Sequence, residues 1–140
     1  MFEAQIVKMM GGEEILKRKI YSEIDFSEAI TAGIPLRAVK NIQSYLSASD
    51  VRMAELINVS SKTFRTRKVF KDDEGDHAYT TARIIVAAEE AIGDKNSALE
   101  WLNSKQPALG NHVPIELILN SAGAQAVEDL LGRIEYGVYS

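Results

Sequence analysis

The sequence predicts an all-α fold. Three observations carry that reading: period-2 alternation is scarce, apolar residues recur at helical spacing, and helix-capping residues punctuate the chain. Glu13 to Tyr21 reads as a first short helix. Asp25 with Glu28 three residues later is a capping-box pattern, and Gly33 stops the helix it opens. Pro35 suits the first turn of the next helix, where Leu36, Val39, Tyr45 and Leu46 share a face. Ser49 or Asp50 caps a helix carrying Val51, Ala54, Leu56 and Ile57, and Ser60 caps another running through Phe64 to Val69. The run Asp72-Asp73-Glu74-Gly75 reads as a polar break, after which Asp76 caps a long helix with Ile84, Ile85, Ala88, Ala91 and Ile92 on its apolar side. Gly93 ends that helix, and Asp94 caps one containing Ala98, Leu99, Trp101 and Leu102. Pro107 and Gly110 mark a loop, and Pro114 opens a short helix through Leu119. Ser121 caps the last helix, in which Val127, Leu130, Leu131 and Ile134 form an apolar stripe and Gly137 stands at the C-terminal cap.

The composition is that of a folded, water-soluble chain. It has 140 residues, 46% hydrophobic and 26% charged, and its formal net charge is -4. That length supports a hydrophobic core without staples. With no cysteine, disulfides, thiolate metal sites and Cys nucleophiles are excluded. No charged segment followed by a long apolar stretch marks a secretory leader, and the longest charge-free apolar run, Ile84 to Ala88, is far short of a membrane span, so the cytoplasm is the expected location. Taken whole, an acidic chain argues against nucleic acid, but the charge is unevenly placed. Residues 36–71 hold Arg37, Lys40, Arg52, Lys62, Arg65, Arg67, Lys68 and Lys71 against Asp50 and Glu55, a net of +6, whereas residues 72–140 carry a net of -8. Such asymmetry points to two surfaces with different partners.

Inside the basic block lies the most informative local pattern, Met53 to Phe64. Two helices that cross closely need a small residue at the crossing, and Ala54 supplies it. The tight turn four residues later needs a left-handed backbone, which Asn58 tolerates. Val59 plugs the space between the helices, Ser60 caps the second, and Phe64 anchors that second helix to the core. Its remaining side carries Ser61, Lys62, Thr63, Arg65, Thr66, Arg67 and Lys68, types that suit phosphates and base edges. Arg52, at the start of the preceding helix, joins this set. The pattern is a helix-turn-helix with these eight residues as candidate DNA contacts, and a dimer reading two half-sites would offset the modest charge of one copy. Helical hairpins with a polar face share each feature singly; the combination is what points to DNA.

The chain also resembles the Xre/MbcA/ParS antitoxin family of bacterial type II toxin–antitoxin systems. The resemblance spans about residues 35–140 and rests on Val59 to Lys68, Ala91-Ile92-Gly93-Asp94, Ala98 to Leu102, Pro107 to Gly110, Pro114 to Ile118, and the string from Leu131-Gly132-Arg133 to Tyr139. Lys62 and Phe64 stand where the family tends to have Arg and Leu, and Asp76 to Arg83 departs from its pattern. The resemblance implies an Xre-like helix-turn-helix followed by a small helical toxin-binding domain. It implies a homodimer that binds operator DNA at its own promoter, and a partner that is a RES-domain toxin, an NAD-consuming enzyme whose active-site entrance the antitoxin blocks. The implied toxin contacts are Arg133, Glu135, Tyr136, Gly137, Val138, Tyr139 and Ser140. The expected divisions are an N-terminal helical extension at 1–33, the DNA-binding region at 34–75, and a dimerisation and toxin-binding domain at 76–140.

Other chemistry finds little footing. His77 and His112 have no ligand-spaced partner, the run from Asp72 to Asp76 lacks the alternating oxygen ligands of a calcium loop, and Gly11-Gly12 has no phosphate-loop context. No nucleophile motif surrounds any serine, so neither an enzyme nor a cofactor is expected. Two alternatives stand beside the antitoxin: a stand-alone helix-turn-helix repressor with no toxin partner, and a protein-interaction module that has lost DNA binding.

Overall fold

In the computed structural model, which describes residues 2–137, the chain is helical almost throughout and falls into two units, Met1–Ala82 and Arg83–Ser140. The first unit begins with α1 (Glu3–Met9) and α2 (Glu13–Leu16), both packed on α4 (Leu36–Leu46). Residues 2–33 are therefore built into the first unit. Their apolar residues Ile6, Val7, Met10, Leu16, Ile20 and Phe26 are buried, while Ile24 is exposed. Between them and α4 runs α3 (Glu23–Ala32). Its cap is Ser22, whose Oγ accepts from Asp25 N, while the Asp25 carboxylate accepts from Tyr21 N. The helix thus starts two residues before the expected Asp25–Glu28 box, because a hydroxyl one turn earlier already satisfies the free amides.

Two further helices complete the helix-turn-helix, α5 (Asp50–Ile57) and α6 (Ser61–Thr66). The second ends earlier than the expected Val69. Arg67 turns extended at φ -83°, ψ 143°, and the chain then pairs as a strand. This short ribbon joins β1 (Ile34–Pro35) to β2 (Val69–Phe70), antiparallel, with Ile34 opposite Phe70 and Pro35 opposite Val69. Leu36 N also donates to Lys68 O at 2.8 Å.

The 21-residue α7 (Asp72–Ile92) starts at the acidic run expected to be a break. Carboxylates at a helix N-terminus complement its free amides and dipole, so Asp72, Asp73 and Glu74 open the helix instead of interrupting it. From Ala78 to Ala88 most α7 residues are buried, including Tyr79, Thr81, Ile84 and Ile85, and the Thr81 hydroxyl is satisfied by donating to His77 O. The boundary between the two units falls within this helix, between Ala82 and Arg83.

The second unit takes the remainder of α7, then α8 (Lys95–Leu102), a 3-10 turn at Pro107–Leu109, α9 (Pro114–Leu117) and α10 (Ser121–Glu135). Asp94 caps α8 as expected, and Asn120, one residue before the expected Ser121, caps α10 by accepting from Gly123 N. Its buried residues include Ala98, Leu102, Ile115, Ile118, Val127 and Leu131. The Arg83 guanidinium and the Glu128 carboxylate pair through two bonds of 2.7 and 2.9 Å, tying α7 to α10. α9 meets α10 so closely that a Cβ on Gly123 would stand 1.8 Å from the Leu117 carbonyl oxygen. Backbone cannot swing away as a side-chain tip can. Gly123→Ala is expected to destabilise the protein by about 1–3 kcal/mol, the range of core overpacking, measured as a lowered midpoint in chemical denaturation.

Candidate functional site

The turn between α5 and α6 is set by local bonding. Ser49 Oγ accepts from Arg52 N at the start of α5. At its end Asn58 adopts φ 61°, ψ 49°, Val59 N donates to Ala54 O, and Asn58 N donates to Glu55 O. Those two bonds around one left-handed residue form a Schellman cap, which Asn tolerates because its short amide costs little there. Ser60 Oγ then accepts from Thr63 N and donates to Thr63 Oγ1, opening α6. Ala54 is buried at the helix crossing, and Val59 is half-buried.

A six-residue helix has no stability of its own. Phe64 supplies it from outside. The ring is fully buried, packs 6.4 Å from Phe70 between centroids, and lies under the Lys40 ammonium at 4.8 Å. Lys40 also faces Asp50 at 3.8 Å, and Gln43 Nε2 donates to Asp50 Oδ1 at 2.8 Å. The Gln43 bond, aided by the Lys40 charge, holds the Asp50 carboxyl below its ordinary range. These contacts lock α4 onto the start of α5.

Around the anchored helix the candidate contacts divide. Lys62, Arg65, Thr66 and Lys68 are exposed, and Ser61 and Thr63 are half-buried beside them. The Thr66 hydroxyl donates back to Lys62 O, and the Thr63 hydroxyl is engaged by Ser60, so Lys62 and Arg65 are the long donors that α6 offers. Arg52 lies half-buried on α5. The Arg67 guanidinium is ion-paired with Glu74 in the first turn of α7. Sequence reading missed this pair, because the two residues belong to elements separated by the ribbon.

At the other end, Arg133 is half-buried, and its Nε is buried with no acceptor among the described residues. Glu135 and Gly137 are exposed, and Tyr136 is 68% exposed. Val138, Tyr139 and Ser140 lie outside the described residues. Ile134 is half-buried at the edge of the α10 stripe. In the same unit, Trp101 is half-buried and lines an open cleft of about 290 Å³ with Ile92, Ser97, Glu100, Ser104 and Gln106. No helix among the described residues is long and apolar enough to cross a membrane.

Two family models match the chain, and they fall on these two regions. Residues 25–83 match the antitoxin Xre-like helix-turn-helix domain, and residues 87–137 match the antitoxin Xre/MbcA/ParS C-terminal toxin-binding domain. The chain belongs to the Xre/MbcA/ParS antitoxin family. Its curated relatives include an antitoxin Xre of Yersinia enterocolitica, 26% identical over 118 residues that cover 81% of this chain and 80% of the relative. An antitoxin Xre of Photorhabdus laumondii is 25% identical over 116 residues, covering 79% and 78%. The antitoxin thus carries a DNA-binding domain and a toxin-binding domain in one chain.

The Arg67–Glu74 pair withholds one cation from the DNA-binding face. Glu74→Gln should release it. Binding to a duplex should tighten, and its logarithmic salt slope should steepen by about 0.9, the increment for one added phosphate contact. Fluorescence anisotropy across a salt series measures both.

Proposed function

We propose that this antitoxin neutralises a RES-domain, NAD-consuming toxin by setting its C-terminal end against the toxin's active-site entrance, and that as a homodimer it represses its own operon through α5 and α6. The single observation that carries the reading is the pairing, in one chain, of the helix-turn-helix match with the toxin-binding match. Surface chemistry supports both halves. Lys62 and Arg65 project from a helix held by its buried ring, as phosphate and base recognition requires. Near the end of α10, an exposed tyrosine beside a buried Arg133 Nε that has no acceptor among the described residues supports a partner-binding surface. A steric block needs no catalytic group from the antitoxin. The acidic net of residues 72–140 complements a cleft that receives a phosphate-rich dinucleotide.

Co-expression with the product of the adjacent gene tests the toxin assignment. A stable complex on size exclusion and rescued growth are expected. Removing residues 136–140 should abolish rescue while leaving DNA binding intact; rescue by the truncated chain would refute the plug. For the repressor half, Arg65→Ala should weaken binding to the DNA upstream of the gene by about tenfold to a hundredfold, within the cost of one strong base or phosphate contact. An unchanged mobility shift would remove α6 from the interface.

A further inference from the structure

The helix-turn-helix unit carries exposed positive charge outside its recognition helix. Arg37, Lys68 and Lys71 are exposed, and none has an anionic partner among the described residues. The ribbon brings them together. Lys68 lies two residues past α6 and accepts the Leu36 amide proton at its carbonyl, which sets Leu36, the first residue of α4, about one strand spacing (~4.8 Å) from Lys68, with Arg37 next along the helix. Lys71 leaves the other end of β2. Its stem runs over Gly33: a Cβ there would meet Lys71 Cγ at 3.3 Å and Cε at 3.6 Å, with Val69 Cγ1 closer still at 2.4 Å. Gly33 also needs its freedom for φ +114°, so backbone and packing together lay the lysine along the ribbon. Lys68 lies three residues from Arg65, at most ~10 Å along the chain. The cations therefore extend the charge of α6 beyond the helix, and Asp72 and Asp73, at the start of α7, mark where the basic track ends.

We infer that the β1–β2 ribbon is a second DNA contact, in which Arg37 and Lys71, with Lys68, grip the phosphate backbone flanking the site read by α6. The inference rests on the DNA-binding reading and adds to it two residues outside the helix-turn-helix. The occupant is a phosphodiester backbone: the donors are long, exposed and without an anionic partner among the described residues, and Val69, 42% exposed between them, has a side chain with no hydrogen-bonding group to read a base edge. Contacts of this kind position a protein without adding sequence preference.

The test uses the full-length protein and a labelled random-sequence 30-bp duplex, with anisotropy followed over a salt series. Wild type should bind with a steep salt dependence. Arg37→Gln/Lys71→Gln, which keeps most of each aliphatic stem, should lower the logarithmic salt slope by about 2, at ~0.9 per lost phosphate contact. Its thermal melt should match that of wild type. Arg37→Lys/Lys71→Arg should retain the wild-type slope, which a role limited to packing would not require. An unchanged slope in the Gln pair, with a lowered slope in Arg65→Ala, overturns the ribbon contact and leaves α6 as the DNA contact. If wild type shows no salt-dependent duplex binding, the DNA-binding reading fails and the ribbon contact with it.

Discussion

The burial of Phe64 is the contact on which the DNA-binding unit depends. Six residues make one hydrogen-bonded turn and part of another, too little to hold a helix in water. One ring, pressed between Phe70 and the Lys40 ammonium, fixes that helix in place and in rotation. Removing a buried phenylalanine costs roughly 3–5 kcal/mol, a large share of what a small domain has to spare. Everything α6 presents outward, from Lys62 to Arg65, takes its direction from this inward side chain. Phe70 serves twice, as the ring against Phe64 and as the partner of Ile34 in the ribbon.

Much of the helix-turn-helix is legible in the sequence because its determinants are local. Asn58 fixes a left-handed turn, Ser60 caps within three residues, and Ala54 stands one helical turn before Asn58; each acts through neighbours in the chain. The ribbon is not legible. Ile34–Pro35 and Val69–Phe70 are too short to alternate visibly, and their pairing is made across the whole of α4, α5 and α6. Asp72 to Glu74 misleads for a related reason. The same carboxylates suit a solvated loop and a helix N-terminus, and only the burial of the residues beyond them decides between the two. α1 carries two buried residues, Ile6 and Val7, too few for a periodic signal.

The candidate site divides along the same line. The exposure of Lys62 and Arg65 can be read from sequence because a capped helix with one anchored face has a known opposite face. The withdrawal of Arg67 cannot, since Glu74 reaches it only after the chain has passed through the ribbon. Charge counted along the chain gives the correct sign for the block, yet it overstates what is free to meet phosphate. The C-terminal surface is read from the family's motif more than from physics. Its buried Arg133 Nε is visible only in three dimensions.

Gly123 has a consequence that shows at the level of the gene. Every missense change in a glycine codon adds at least a Cβ, and here any Cβ falls against the Leu117 carbonyl. Most surface positions of α10 can drift through many amino acids at little cost. This codon has no such neighbours in sequence space: short of losing the α9–α10 packing, its only silent moves are synonymous ones.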